Sequence, residues 1–585
     1  MTTVRNSKVF WIVLLLIPVL VGAAAWGAFQ SARPSSVDMT AMLPQGALLT
    51  IEAQDFGGLL KEWSSSKEKA AWITSNNYGF FSRSRLFDRL NGAQTEFAGT
   101  AGIQPDMDFL KQVAGRESIF AWYDIGNLEF LYITHLPSGA AMQTQLLEMR
   151  EKFQPRRVGN ETFYVQTAEE THRTVAFAVS GDLLLLATRE DLMAGALKLI
   201  ASKDTSTSLA GEKWFEDARA AAPKDKGVLR MSLNLEKIMP TPYFRSYWVQ
   251  RNIREMKQYR SAVADLHTDA AEFREERVLL PKTATTADGS AVDSTDLRSI
   301  VALVPAHAGM YRAVANPSID NVISQLDEKL LSRSTGSYSN PHLAPVAGMA
   351  VTDVGSASDF ETRIDAVPIT VEAKGSEFKS LRETLSTTDL KAVMTVSRTG
   401  PLKDGIWVPF ESAIVLSSAK GWDVTAMQTA LQKAMGARLT ASELGLNWKL
   451  ANTMSQDYFE ISETRPLQMA VRGNFCILTD DSSLMVDMLS RLSDIKPRPE
   501  ADAAQTTLMA GFDPTQERAA FARWSKIVDR MPSGTAVGDG TGEPAFFSQN
   551  MRSLSDSFGA LEGELVVERR DGPFKRQTVT YVWQH

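Results

Sequence analysis

The residue types that most often carry chemistry are few here, and they are scattered. Six histidines, His135, His172, His267, His307, His342 and His585, are spread over 585 residues. No two stand three or four residues apart, the spacing that would put both imidazoles on one helix face, and HExxH is absent. The single cysteine, Cys476, excludes an intrachain disulfide and a thiolate zinc cluster. It lies in the apolar run NFCILT, which reads as a buried strand and not as the setting of a nucleophile. Three acidic pairs, Glu169-Glu170, Glu275-Glu276 and Asp480-Asp481, are adjacent in sequence. Neighbouring residues point to different sides of a strand or helix, so these pairs do not form the shared site of a carboxylate dyad. Gly-x-Ser-x-Gly, Walker, Rossmann and EF-hand patterns are missing. The sequence therefore assigns no catalytic, cofactor-binding or metal-binding residue and calls for no cofactor.

The elements that could position such groups begin with the N-terminus. Residues 9–29, VFWIVLLLIPVLVGAAAWGAF, carry no charge. About 21 residues at 1.5 Å each span roughly the 30 Å of a bilayer's hydrocarbon. Arg5 and Lys8 precede the run, and Arg33 and Asp38 follow it. That charge bias predicts a cytoplasmic N-terminus, residues 1–8, and a body outside. Trp11 and Trp26 stand near the two ends, where indole prefers the interface, and Pro18 is tolerable inside a spanning helix. Ala23-Ala24-Ala25 offers the rival reading of a cleaved signal peptide. The length of the run favours a retained anchor, and with no cysteine behind it lipoprotein processing is excluded.

The body reads as two copies of one unit, residues 38–280 and 299–585, joined by a linker at 281–298. AMQTQLLEM from Ala141 is matched by AMQTALQKAM from Ala426. AVSGDLLLLATREDLM from Ala178 is matched by AVRGNFCILTDDSSLM from Ala470. VLRMSL from Val228 parallels LMAGF from Leu508, and LPQGALLTIEA from Leu43 parallels VPAHAGMYRAV from Val304. Several matches in one order at nearly constant offset point to duplication. Gly181-Asp182 and Gly473-Asn474 predict two-residue hairpin turns between apolar strands. Thr188 and Thr479 are placed to cap the helices that follow, and Leu192, Ala196, Leu197 and Ile200 form an apolar stripe. A second stripe, Met142, Leu146 and Met149, belongs to a helix starting near Ala140. The fold expected is α+β: a transmembrane helix, then two related mixed-sheet units with helices packed on one face of each sheet. Pro281 to Asp296 is small and polar, as a linker should be, and Ser493 to Gln505 and Pro532 to Pro544 read as surface loops.

One segment has an unusual surface. Thr241 to Leu266 reads as a basic aromatic helix, with Tyr243 and Tyr247, and Phe244 and Trp248, spaced i,i+4. Arg245, Arg251, Arg254, Lys257 and Arg260 supply the charge. An interfacial or partner-binding helix is one reading. A core helix with a snorkelling basic exterior is favoured, because Phe521 and Trp524 recur at the matching place in the second copy.

A composition of 44% hydrophobic and 22% charged residues supplies real cores and excludes overall disorder. A net charge of −7 gives no electrostatic footprint for nucleic acid. The anchor, the acidic duplicated body and its opening LPQGALLTIEA resemble the uncharacterised bacterial membrane-anchored proteins of this length, some of them encoded near alpha-2-macroglobulin genes. That resemblance implies a Gram-negative envelope setting and an assisting role beside a protease-trapping system, with no functional residues to carry over. The expectation is a single-pass inner-membrane protein that meets the bilayer through its N-terminal helix. Its periplasmic body would bind an envelope component or an envelope protein. An extracytoplasmic hydrolase with a dispersed site and a purely architectural protein are the alternatives.

Overall fold

The computed structural model describes residues 38–74, 78, 82, 85–202, 204–241, 256–268, 272–283, 295–331, 376–399, 410–439, 446–462, 466–492, 506–513 and 561–583. The expected anchor at 9–29, the loops at 493–505 and 532–544, the segment 521–528, His342 and His585 lie outside them. Among the described residues no helix is long and apolar enough to cross a membrane.

In the first half the strands are β1 Leu49–Ala53, β2 Ser118–Asp124, β3 Glu129–His135, β4 Gln154–Val158, β5 Glu161–Thr167, β6 Thr174–Ser180, β7 Leu183–Ala187, β8 Leu229–Asn234, β9 Tyr259–Thr268 and β10 Glu272–Pro281. They lie side by side as β4-β5-β6-β7-β3-β2-β1-β8-β9-β10. The second half has β11 Met310–Ala315, β12 Leu390–Thr399, β13 Phe410–Ser418, β14 Lys449–Thr453, β15 Gln456–Ile461, β16 Leu467–Arg472, β17 Phe475–Thr479, β18 Thr506–Phe512, β19 Leu561–Asp571 and β20 Phe574–Trp583. Their order is β14-β15-β16-β17-β13-β12-β11-β18-β19-β20, the same path strand for strand. β10 then pairs with β20, which joins the halves into one sheet. At the middle of that seam Glu276 faces Thr578 and Arg277 faces Gln577.

The two paths agree at the level of single backbone bonds. Leu136 N–H donates to Asp182 O at 2.9 Å, and Ser418 N–H donates to Asn474 O at 3.1 Å. Leu48 N–H reaches Trp122 O at 2.7 Å, and Gly309 N–H reaches Ser397 O at 3.0 Å. Gly181 and Gly473 make the hairpin turns expected of them, each at φ +57°.

Every ladder in the sheet is antiparallel, which corrects the expectation of mixed sheets. Helices cover both faces and not one. In the first half, α1 (Phe56–Ser65), α2 (Arg85–Ala101) and α3 (Met107–Val113) lie on one face, and α4 (Glu190–Ser202) and α5 (Lys213–Ala221) on the other. In the second half, α6 (Thr295–Val301) and α10 (Ser482–Leu492) back one face. On the opposite face lie α7 (Ile319–Leu326), α8 (Lys379–Thr387) and α9 (Val424–Leu439). The unbroken run of β7, LLLLA, carries the reason: all five residues are buried, and successive side chains point to opposite faces, so each face needs its own cover. Cys476 is buried in β17 as expected, and burial pushes its thiol up to about 12.

Other expectations need correction. The segment read as a helix to Leu266 is strand from Tyr259 onward, and residues 242–255 lie outside the described ones. Its run SAVADL has no strong helical preference, and ladders to both β8 and β10 decide its conformation. The linker is shorter than expected, because α6 begins at Thr295. The stripe at Met142, Leu146 and Met149 is broken: two short helical turns, Ser138–Ala141 and Gln145–Glu148, replace one helix, and Met142 is exposed. Thr188 does not cap: Phe130 N–H donates to its Oγ1 at 2.8 Å. Thr479 Oγ1 donates to Ser412 O at 2.9 Å and accepts from Asp481 N–H at 3.2 Å, just ahead of the helix. Asp481 takes the capping place of α10, accepting from Ser483 and Leu484 N–H.

Candidate functional site

The first half holds a cavity of about 420 Å³ between the sheet and the layer of α1, α2 and α3. That lies within the range of small-ligand sites, roughly 300–1,000 Å³. Strand alternation builds the floor. In β2, Ile119 and Ala121 point to the α4 side and are buried there, so Ser118, Phe120 and Trp122 point to the cavity. Phe130 and Tyr132 come from β3, Ile51 and Ala53 from β1, and Leu229 from β8. Helical spacing builds the roof: Leu90, Ala93, Gln94 and Phe97 from α2, and Phe109, Leu110 and Val113 from α3.

The aromatic rings contact one another across the strands. Phe120 stacks on Phe130 with ring centres 4.8 Å apart and lies 5.5 Å from Trp122. Phe97 meets Phe109 at 5.9 Å, and Phe56 of α1 meets Tyr132 edge-on at 6.0 Å. The buried Tyr132 hydroxyl donates to Val113 O at 3.0 Å and lies 3.2 Å from Ser118 Oγ. Burial pushes this phenol above its ordinary value, against hydrogen bonding to Ser118 and Thr134, so it keeps its proton and pins α3 to β3. Gly115, just past α3, admits no side chain: a Cβ there would sit 2.0 Å from His135 O. The chain thus presses α3 against the strand edge and closes that wall.

Among the described residues one cationic side chain lines the cavity, Arg173, in the turn before β6. It is mostly buried, with 11% of its side chain exposed. Its Nε and Nη2 donate to Glu96 Oε2 of α2 at 2.9 and 2.6 Å, and Nη1 donates to Asn127 O at 2.7 Å. The pair ties the roof helix to the sheet. Thr188 stands on the same rim.

The second half provides an internal control. By the ladder registers, Phe120 corresponds to Thr395, Trp122 to Ser397, Phe130 to Ser412 and Ile51 to Arg312. The fold builds the same strands on hydroxyls and a guanidinium there, so an aromatic floor is not a requirement of the architecture.

None of the described histidines belongs to this cavity. His135 ends β3, His172 sits in a turn at φ +54°, His267 lies on β9 and His307 precedes β11. Among the described residues no group of three His, Cys, Asp or Glu is placed to hold a metal ion. Asp480 accepts from Ser412 N–H at 2.7 Å, and Glu275 pairs with Arg277, so these acidic residues have structural partners. Sequence reasoning misses the cavity residues because each is an ordinary core residue type in its own strand. The signal that could find them lies in comparing the halves position by position.

The chain matches no family model and no curated protein. Two solved crystal forms of TP0453 align with it in part. Form I has 12% identity over 46% of this chain and 73% of that one, with a TM-score of 0.19. Form III has 11% identity over 47% and 89%, with a TM-score of 0.22. At such scores the likeness carries no argument about fold or function.

Proposed function

We propose that this protein is a membrane-anchored binding protein of the bacterial envelope whose first half takes an apolar ligand into the cavity between the sheet and α2. The observation that carries this reading is the exchange of Phe120, Trp122 and Phe130 for Thr395, Ser397 and Ser412 at matching registers. Rings kept half-buried in one half and dispensed with in the other serve something other than the shared core. We also propose that the halves descend from one duplicated unit, on the strength of their identical strand paths and matching backbone bonds.

The test is photolabelling of the full-length protein with a diazirine-bearing long-chain alcohol. Label should be recovered in peptides from α2 and β2. The double variant Phe120→Thr, Trp122→Ser, which installs the residues of the other half, should lower that labelling about tenfold. Equal labelling of parent and variant overturns the reading.

The setting is proposed from residues 9–29 and the charges that flank them. A reporter enzyme fused after residue 585 should be active only in the periplasm. Activity in the cytoplasm reverses the orientation.

A further inference from the structure

We infer that the cavity's ligand is an amphiphile with an anionic head, a long-chain carboxylate in chemical class, and that Arg173 selects the head. The inference rests on the apolar-ligand reading above and adds the recognition of charge. Arg173 lines the cavity, whereas its partner Glu96, the more exposed of the two at 26%, is not among the lining residues. A guanidinium has five N–H donors in a rigid fork, and three are engaged, two by Glu96 and one by Asn127. Two donors remain for a carboxylate, one on Nη1 and one on Nη2. Burial of the Arg173 side chain to 11% exposure strengthens that contact relative to one in open water.

The body of the site is mainly apolar, built on Phe120, Leu90, Phe97 and Phe130, with Gln94 on the roof.

The experiment compares two photolabels of equal chain length on the full-length protein: a diazirine palmitic acid and the corresponding alcohol. The acid should label the α2 and β2 peptides about tenfold more efficiently than the alcohol. Arg173→Met should bring the acid-to-alcohol labelling ratio to about one; because the ratio is read within one protein, a general loosening of the roof helix, which lowers both labels alike, does not mimic loss of head recognition. Arg173→Lys should keep part of the preference. Equal labelling by acid and alcohol in the parent, or an unchanged preference in Arg173→Met, overturns the anionic head while the cavity reading stands. Failure of both labels to reach α2 and β2 overturns the cavity reading itself.

Discussion

A buried ion pair shows how residue-scale chemistry can be judged inside this molecule. Arg230 on β8 faces Asp265 on β9 with Nε and Nη2 at 2.7 and 2.8 Å from the carboxylate oxygens, and the exposures are 5% and 0%. The second half places Met509 opposite Val567 at the same register. Removing one partner of a buried pair leaves an uncompensated charge and costs about 3–5 kcal/mol, whereas an apolar pair of similar volume is often neutral or stabilising. Arg230→Met and Asp265→Val should therefore each lower the urea midpoint sharply, and the double variant should restore it. Asp38 behaves differently. Burial raises its pKa, but Arg219 and Thr40 outweigh burial and hold the carboxylate below its ordinary value. A depressed folded pKa contributes stability above the unfolded value, and that stability is lost as pH falls through the folded one. Asp38→Asn should flatten the acid limb of a stability-against-pH curve below about pH 4.

At the scale of elements, the hairpin turns were legible from Gly-Asp and Gly-Asn because only a left-handed residue closes a two-residue turn between twisted strands. Gly181→Ala and Gly473→Ala should each destabilise by about 1–2 kcal/mol, with Asn costing less at both sites, measured by urea unfolding. The helix after the first turn was legible for a similar local reason, its apolar stripe at Leu192, Ala196, Leu197 and Ile200. What was not legible depended on distant chain. Tyr259 to Leu266 is a strand because β8 and β10 flank it, and nothing within the segment announces that. The second helical layer was hidden too, although the all-apolar LLLLA run implied a cover on both sides. The cavity was the least legible part. Its floor comes from β1, β2, β3 and β8, and only the register shows that their side chains converge.

At the scale of the whole molecule, the halves have separate main cores and meet at the ladder between β10 and β20, where Phe574 packs on a small cluster of Ala221, Val278 and Leu280. β20 is flanked on both sides, so its interior N–H groups are needed by β10 or by β19. Thr578→Pro removes one donor and inserts a fixed φ into the seam. Its urea unfolding should separate into two transitions where the parent shows one, with protease cleavage appearing first near β9 and β10. A single unshifted transition would mean that the seam does not couple the halves.

The seam also sets an order of events during synthesis. β10 is complete by Pro281, but the strand that covers its free edge spans Phe574–Trp583. Throughout translation of the intervening chain, the nascent first half presents a row of unsatisfied amides and carbonyls to its surroundings, a template for any extended peptide. Ribosome-bound intermediates of this protein should therefore depend on a chaperone that shields strand edges, and that dependence should end when the hairpin of β19 and β20 emerges.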